Sequence, residues 1–168
     1  MNRSGSLRRD RMKKGIYVLP NLVTTANLFC GFYSTIAAMK EMYEVAAITL
    51  LIAVVLDGMD GRIARLTHTT SKFGAEYDSL CDLVTFGVAP AVLLYNWSLM
   101  SYGKWGWLAA FLFVVCGALR LARFNVQIGV VDSRFFNGLP IPGGAAVVAT
   151  GVLIFYYLGG EGRFLHVL

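Results

Sequence analysis

Apolar residues in this chain fall into five long runs separated by short polar connections. The runs cover residues 19–39, 44–66, 74–96, 105–123 and 142–158. A membrane-spanning helix needs about 20 mostly apolar residues, and each run approaches or exceeds that length. The pattern therefore predicts an all-α, polytopic transmembrane helix bundle with five spans, forming a single transmembrane domain over residues 1–168. Between the runs lie Lys40 to Tyr43, Thr67 to Phe73, Trp97 to Lys104, and a Gly- and Pro-rich stretch from Asn125 to Ile141. Residues 1–18, with Arg8, Arg9, Arg11, Lys13 and Lys14, read as a basic interfacial segment lying on the membrane surface. The run that follows is longer than the core of a secretory signal, and Asn21, Thr24, Thr25 and Asn27 interrupt it, so it reads as a retained first span.

Composition supports lipid as the solvent. Hydrophobic residues make up 57 % of the 168 residues against 15 % charged, too much apolar surface for a small water-soluble globule to hide. The net charge of +5 does not form a nucleic-acid face, because the charges gather at the ends of the apolar runs. With the N-terminus inside, only Lys40, Lys104 and Arg163 of the 15 Lys and Arg fall outside, which orients the chain by the positive-inside rule. Tyr95, Trp97, Tyr102, Trp105 and Trp107 then mark the outer interface. Short loops and the lack of a targeting segment place the protein in a prokaryotic cytoplasmic membrane. Cys30, Cys81 and Cys116 are odd in number, lie in apolar runs and read as reduced packing residues.

Chemistry concentrates in one stretch. Asp57 and Asp60 are three residues apart and share a helix face, as do Asp78 and Asp82, four apart. A short connection turns the two helices toward each other, so the four carboxylates converge. One D-x-x-D at a helix end is commonly a solvated terminus; two such pairs flanking one turn in a membrane protein point to ion binding or chemistry. Like charges gathered there need a counter-cation, and carboxylate oxygens suit Mg²⁺ or Mn²⁺, as a pair bridging phosphate. Arg62 and Arg65 stand within reach of such phosphates. Gly61, Ala64 and Gly74 let helices approach closely or leave room for a planar base.

The pattern Asp57-x-x-Asp60-Gly61-x-x-Ala64-Arg65, eight residues, Gly74-x-x-x-Asp78-x-x-x-Asp82 resembles, without a departure, the signature of the CDP-alcohol phosphotransferase family. Pro20-Asn21 to Thr24, Asn27 to Gly31, Asp78 to Pro90, Ala118 to Asn125 and Gly138 to Pro142 are similar to its phosphatidylserine synthase branch, over about residues 18–150. The resemblance implies a di-metal site with Asp57, Asp60, Asp78 and Asp82 as ligands, Asp82 doubling as the catalytic general base. It implies a CDP and phosphate site of Asp57, Asp60, Gly61, Ala64, Arg65, Gly74 and Asp78, with the cytidine against Gly61, Ala64 and Gly74. It further implies CDP-diacylglycerol as donor, L-serine as acceptor, a homodimer, and a six-helix core where the pattern places five, which predicts truncation at the C-terminal end. Asn27 either hydrogen-bonds the donor's nucleotide or phosphate or joins another helix. Arg120 and Arg123 either snorkel as anchors or bind the acceptor's carboxylate or the donor's phosphates. No Ser-His or Cys-His pair offers a covalent intermediate, and His68 reads as a solvated loop residue. Glycerol phosphate or inositol phosphate as acceptor remains open on the motif alone, as does, from another class, a divalent-cation transporter. Against the transporter, the carboxylates gather at one membrane face rather than the midplane.

Overall fold

The computed structural model describes residues 3–67, 72–127 and 139–160, with side chains described for 21–59, 73–126 and 139–160. All regular structure in these residues is helical. α1 spans Arg3–Met39, α2 Tyr43–Thr67, α3 Lys72–Asp82, α4 Ala89–Trp97, α5 Lys104–Gln127 and α6 Ile141–Tyr157. The all-α expectation holds. Three stretches, Asn21–Met39, Phe73–Trp97 and Lys104–Val126, are long and apolar enough to cross a membrane, and α6 is a shorter apolar helix.

Two expected boundaries differ. The first span, expected to begin at residue 19, is the second half of α1, which continues back to Arg3. The Arg, Lys, Met and Leu residues there are good helix formers and sustain the helix without a break. The third run, expected as one regular helix over 74–96, contains a π-helical segment at Leu83–Val88 between α3 and α4. Pro90 explains it: the ring has no N–H for the carbonyl four residues back and crowds that carbonyl. The backbone widens instead, and the Ala89 N–H bonds the Val84 carbonyl, five residues back. The remaining runs shift by a few residues at most, as α5 extends to Gln127. His68, Gly138 and Arg163 lie outside the described residues.

Small residues set the packing. Ala37, Ala38, Ala46, Ala47, Ala89 and Ala149 are buried with Leu50, Leu93 and Val152 in one cluster that joins α1, α2, α4 and α6. In lipid there is little hydrophobic drive between helices, so close approach of small side chains carries the association. Polar ties supplement it. The Ser34 hydroxyl donates to the Ala46 carbonyl at 2.9 Å, and the Tyr43 hydroxyl to the Asn96 carbonyl at 3.1 Å. Trp97 meets Phe155 edge-on at 5.5 Å. A second cluster of Ala53, Phe86 and Ala145, with Cys30, Val54 and Ile141 against it, lies nearer the aspartates. α1 comes close against the π segment at Gly31, where a Cβ would stand 2.6 Å from the Thr85 Cα. Only a glycine admits that approach.

Candidate active site

α2 brings Asp57, and α3 brings Asp78 and Asp82, to one place. One carboxylate oxygen from each lies within 4.8 Å of the others, and all three residues are half-buried. Asp82 is the last residue of α3, where regular helix passes into the π segment. Asp57 and Asp82 are within hydrogen-bonding distance of each other. Three carboxylates this close repel strongly unless protons or cations stand between them. Their hard oxygen donors fit Mg²⁺, Mn²⁺ or Ca²⁺ and not the softer metals that prefer sulfur or imidazole. The residues present thus suit a divalent cation.

α1 supports this cluster through two adjacent threonines. The Thr24 side chain, 5 % exposed, hydrogen-bonds Asp78. The Thr25 hydroxyl lies 3.0 Å from the Tyr77 hydroxyl and donates to the Asn21 carbonyl at 2.7 Å. A turn further along, the Thr85 hydroxyl in the π segment donates to the Asn27 carbonyl at 3.4 Å. These contacts ascend together, Thr24 to Asp78 and Asn27 to Thr85, so α1 runs parallel to α3 and its continuation. From α5, the Asn125 amide donates to the Ser79 hydroxyl at 2.9 Å. That bond ties the aspartate-bearing helix to the helix carrying Arg120 and Arg123.

Of the expected site residues, Asp57, Asp78 and Asp82 are brought together, and Gly74 lies half-buried in the first turns of α3. Asp60, Gly61, Ala64 and Arg65 belong to α2, Asp60 one turn beyond Asp57, and their side chains lie outside the described residues. Asn27 is fully buried. Arg120 is half-buried and Arg123 exposed, both near the C-terminal end of α5. Thr24, Tyr77, Ser79, Thr85 and Asn125 join the surroundings of the site only through the tertiary structure. Thr24, Asn27, Gly31 and Ser34 recur at alternating three- and four-residue spacing on α1, a signal of a buried polar and small-residue stripe that the sequence does carry.

A family model described as CDP-alcohol phosphatidyltransferase matches residues 17–167. The chain belongs to this family. Among curated relatives, it is 43 % identical over 149 residues to a CDP-diacylglycerol–serine O-phosphatidyltransferase of Helicobacter pylori (strain J99), covering 87 % of this chain and 63 % of the relative. It is 39 % identical over 145 residues to the protein of that name from Mycobacterium leprae, covering 83 % and 48 %. It is 35 % identical over 160 residues to an archaetidylserine synthase of Methanothermobacter thermautotrophicus, covering 94 % and 67 %. The chain thus spans about half to two thirds of the length of these relatives. Family and helices together make it an integral membrane protein.

Arg120 and Arg123 can be sorted by substitution. Arg120→Lys keeps charge but loses the guanidinium fork that grips a carboxylate or phosphate. An anion-binding arginine is expected to raise one substrate's KM several-fold when replaced, and a membrane anchor to leave both KM values unchanged. Separate KM measurements for the alcohol and for the CDP-linked donor on Arg120→Lys and Arg123→Lys check this.

Proposed function

We propose that the chain catalyses transfer of the phosphatidyl group from CDP-diacylglycerol to L-serine, giving a phosphatidylserine and CMP. The convergence of Asp57, Asp78 and Asp82 carries this reading, and the names of the relatives favour serine as acceptor. Asp57, Asp60, Asp78 and Asp82 would hold Mg²⁺ or Mn²⁺, two ions in number, which when bound neutralise the charge of the pyrophosphate and the departing CMP. Asp82 accepts the proton of the serine hydroxyl as its oxygen forms the new bond to the lipid-side phosphorus and the bond from that phosphorus to the CMP oxygen breaks. Thr24, bonded to Asp78, holds that carboxylate in place. Gly61, Ala64 and Gly74 leave space for the cytidine, and Arg65 reaches the phosphates. Arg120 and Arg123 serve the acceptor's carboxylate or the donor's phosphates.

Transfer is direct, through a ternary complex; trapping a phosphatidyl-enzyme would overturn that. The protein works as a homodimer in a prokaryotic cytoplasmic membrane, with its N-terminus and active site at the cytoplasmic face and its first 18 residues on the membrane surface. The test uses protein reconstituted in lipid with CDP-diacylglycerol and labelled serine, following CMP and labelled lipid together. Serine-dependent CMP release is expected, abolished by a chelator and restored by Mg²⁺ or Mn²⁺. Release only with another alcohol would overturn the acceptor, and no release with any alcohol would overturn the reaction and leave an ion-handling role.

A further inference from the structure

Asn27 is fully buried, and among the described residues neither its side-chain oxygen nor its side-chain nitrogen has a hydrogen-bond partner. Leaving both ends of a buried amide unmade is among the more costly things a fold can do. A buried polar group in that condition calls for an explanation that packing does not supply. A leucine of nearly the same volume would fill the space without the penalty.

Position narrows the role. Thr24, three residues before Asn27, bonds Asp78, while Gly31, four residues after it, meets Thr85. Residues three and four apart share a helix face, so Asn27 lies in the same seam, between the levels of Asp78 and Thr85. Asp82 occupies that interval on α3. One turn further the seam is closed by apolar packing, with Cys30 against the cluster of Ala53, Phe86 and Ala145. Asn27 therefore lies on the face of α1 that meets Asp78 and Thr85, at the level of Asp82, the residue proposed to take the proton from the attacking hydroxyl.

Chemistry narrows it again. The amide has N–H donors and a carbonyl acceptor, and both are unsatisfied. Phosphate oxygens only accept and would satisfy one end. The resemblance puts the cytidine among Gly61, Ala64 and Gly74, which follow Asp57 on α2 and precede Asp78 on α3, whereas Asn27 lies at a level beyond Asp78. The α-ammonium and carboxylate of an amino-acid alcohol donate and accept, and they sit one carbon beyond the hydroxymethyl group that must approach Asp82.

We infer that the Asn27 amide is a specificity contact for the acceptor, hydrogen-bonding the ammonium and carboxylate of an amino-acid alcohol while its hydroxyl faces Asp82. The inference rests on the proposed transferase reading. It moves Asn27 from the donor site expected from the sequence to the acceptor site. Entry of the acceptor then requires Asp57 and Asp82, now within hydrogen-bonding distance of each other, to separate.

The experiment compares wild type, Asn27→Leu and Asn27→Ala in two readouts: thermal unfolding without substrates, and steady-state kinetics with each substrate and the metal varied in turn. Asn27→Leu is expected to unfold at the wild-type temperature or above, since an apolar isostere removes the two unmet groups. Both variants are expected to raise the serine KM roughly tenfold or more, the loss of hydrogen bonds to a charged ligand. The donor KM and the metal concentration for half-activity should stay within about twofold. A lower unfolding temperature in Asn27→Leu with unchanged serine KM would overturn the proposal in favour of packing. A rise confined to the donor KM or the metal requirement would overturn it in favour of donor or cation binding. Should Asn27→Leu not fold, Asn27→Ala still supplies the KM comparison. Wild type run with serine and with other alcohols keeps the two readings apart. Activity only with an alcohol lacking the amino-acid group would defeat the acceptor reading and this inference together, and activity with serine but no Asn27 effect would defeat the inference alone.

Discussion

Asp82→Asn is expected to lower serine-dependent CMP release by roughly 10²–10⁴-fold, the usual worth of a positioned acid or base. The substitution keeps the size and shape of the side chain at the junction of α3 and the π segment, so the loss would belong to the proposed proton acceptor and ligand charge, not to the fold. Stability should move the other way. In chelator, Asp57, Asp78 and Asp82 crowd three carboxylates within 4.8 Å, and removing one charge relieves their mutual repulsion. Asp82→Asn should therefore unfold at or above the wild-type temperature when metal is absent, and the gap should narrow or reverse when Mg²⁺ is added. That opposition between activity and stability is common where a site is built for charge. Thermal unfolding with and without metal, beside the CMP assay, checks both halves. A variant that keeps more than a tenth of the activity would remove Asp82 as the base.

Gly31→Ala is expected to be the most damaging single-methyl change in the described membrane helices near the site. The new Cβ would stand 2.6 Å from both the Cα and the hydroxyl oxygen of Thr85. The hydroxyl can rotate away, but the Cα is backbone, so α1 and the π segment must move apart. Overpacking of this kind costs about 1–3 kcal/mol. The same seam carries Thr24 against Asp78 and Asn27 against Thr85, so separation should also lower turnover several-fold by displacing Asp78 and Asp82 relative to Asp57. Gly58, where a Cβ meets nothing within 4 Å, is the control for space, since an alanine there has room. Unfolding temperatures of Gly31→Ala and Gly58→Ala decide the matter, and equal values would show that the seam yields freely.

The distribution of helices and the aspartate cluster could be read from the chain because both depend on spacing. Apolar runs near span length leave little choice but helix when backbone groups must be satisfied in lipid. Asp78 and Asp82 at four residues must share a face once the helix is granted, and the short connection after α2 leaves Asp57 facing them. The helix extending back to Arg3 was harder, because charged residues that suit an interface also suit a helix end. The π segment was harder still. Pro90 announces a disturbance, yet whether the backbone kinks, breaks or widens depends on what packs beside it, here Gly31 pressed against Thr85.

Asn27 and Asn125 mark the line between the two kinds of knowledge. Each is visible in the sequence as an amide in or beside an apolar run, and nothing in its spacing says what it meets. Asn125 turns out to bond Ser79 across from α5 to α3, a contact between residues far apart in the chain. Asn27 turns out to have no hydrogen-bond partner among the described residues at either end of its amide, which no periodicity could state. Local chemistry and helical geometry suffice for which residues share a face of one helix. Which faces of different helices meet, and which buried polar groups are left for a ligand, follows from how all the helices pack at once.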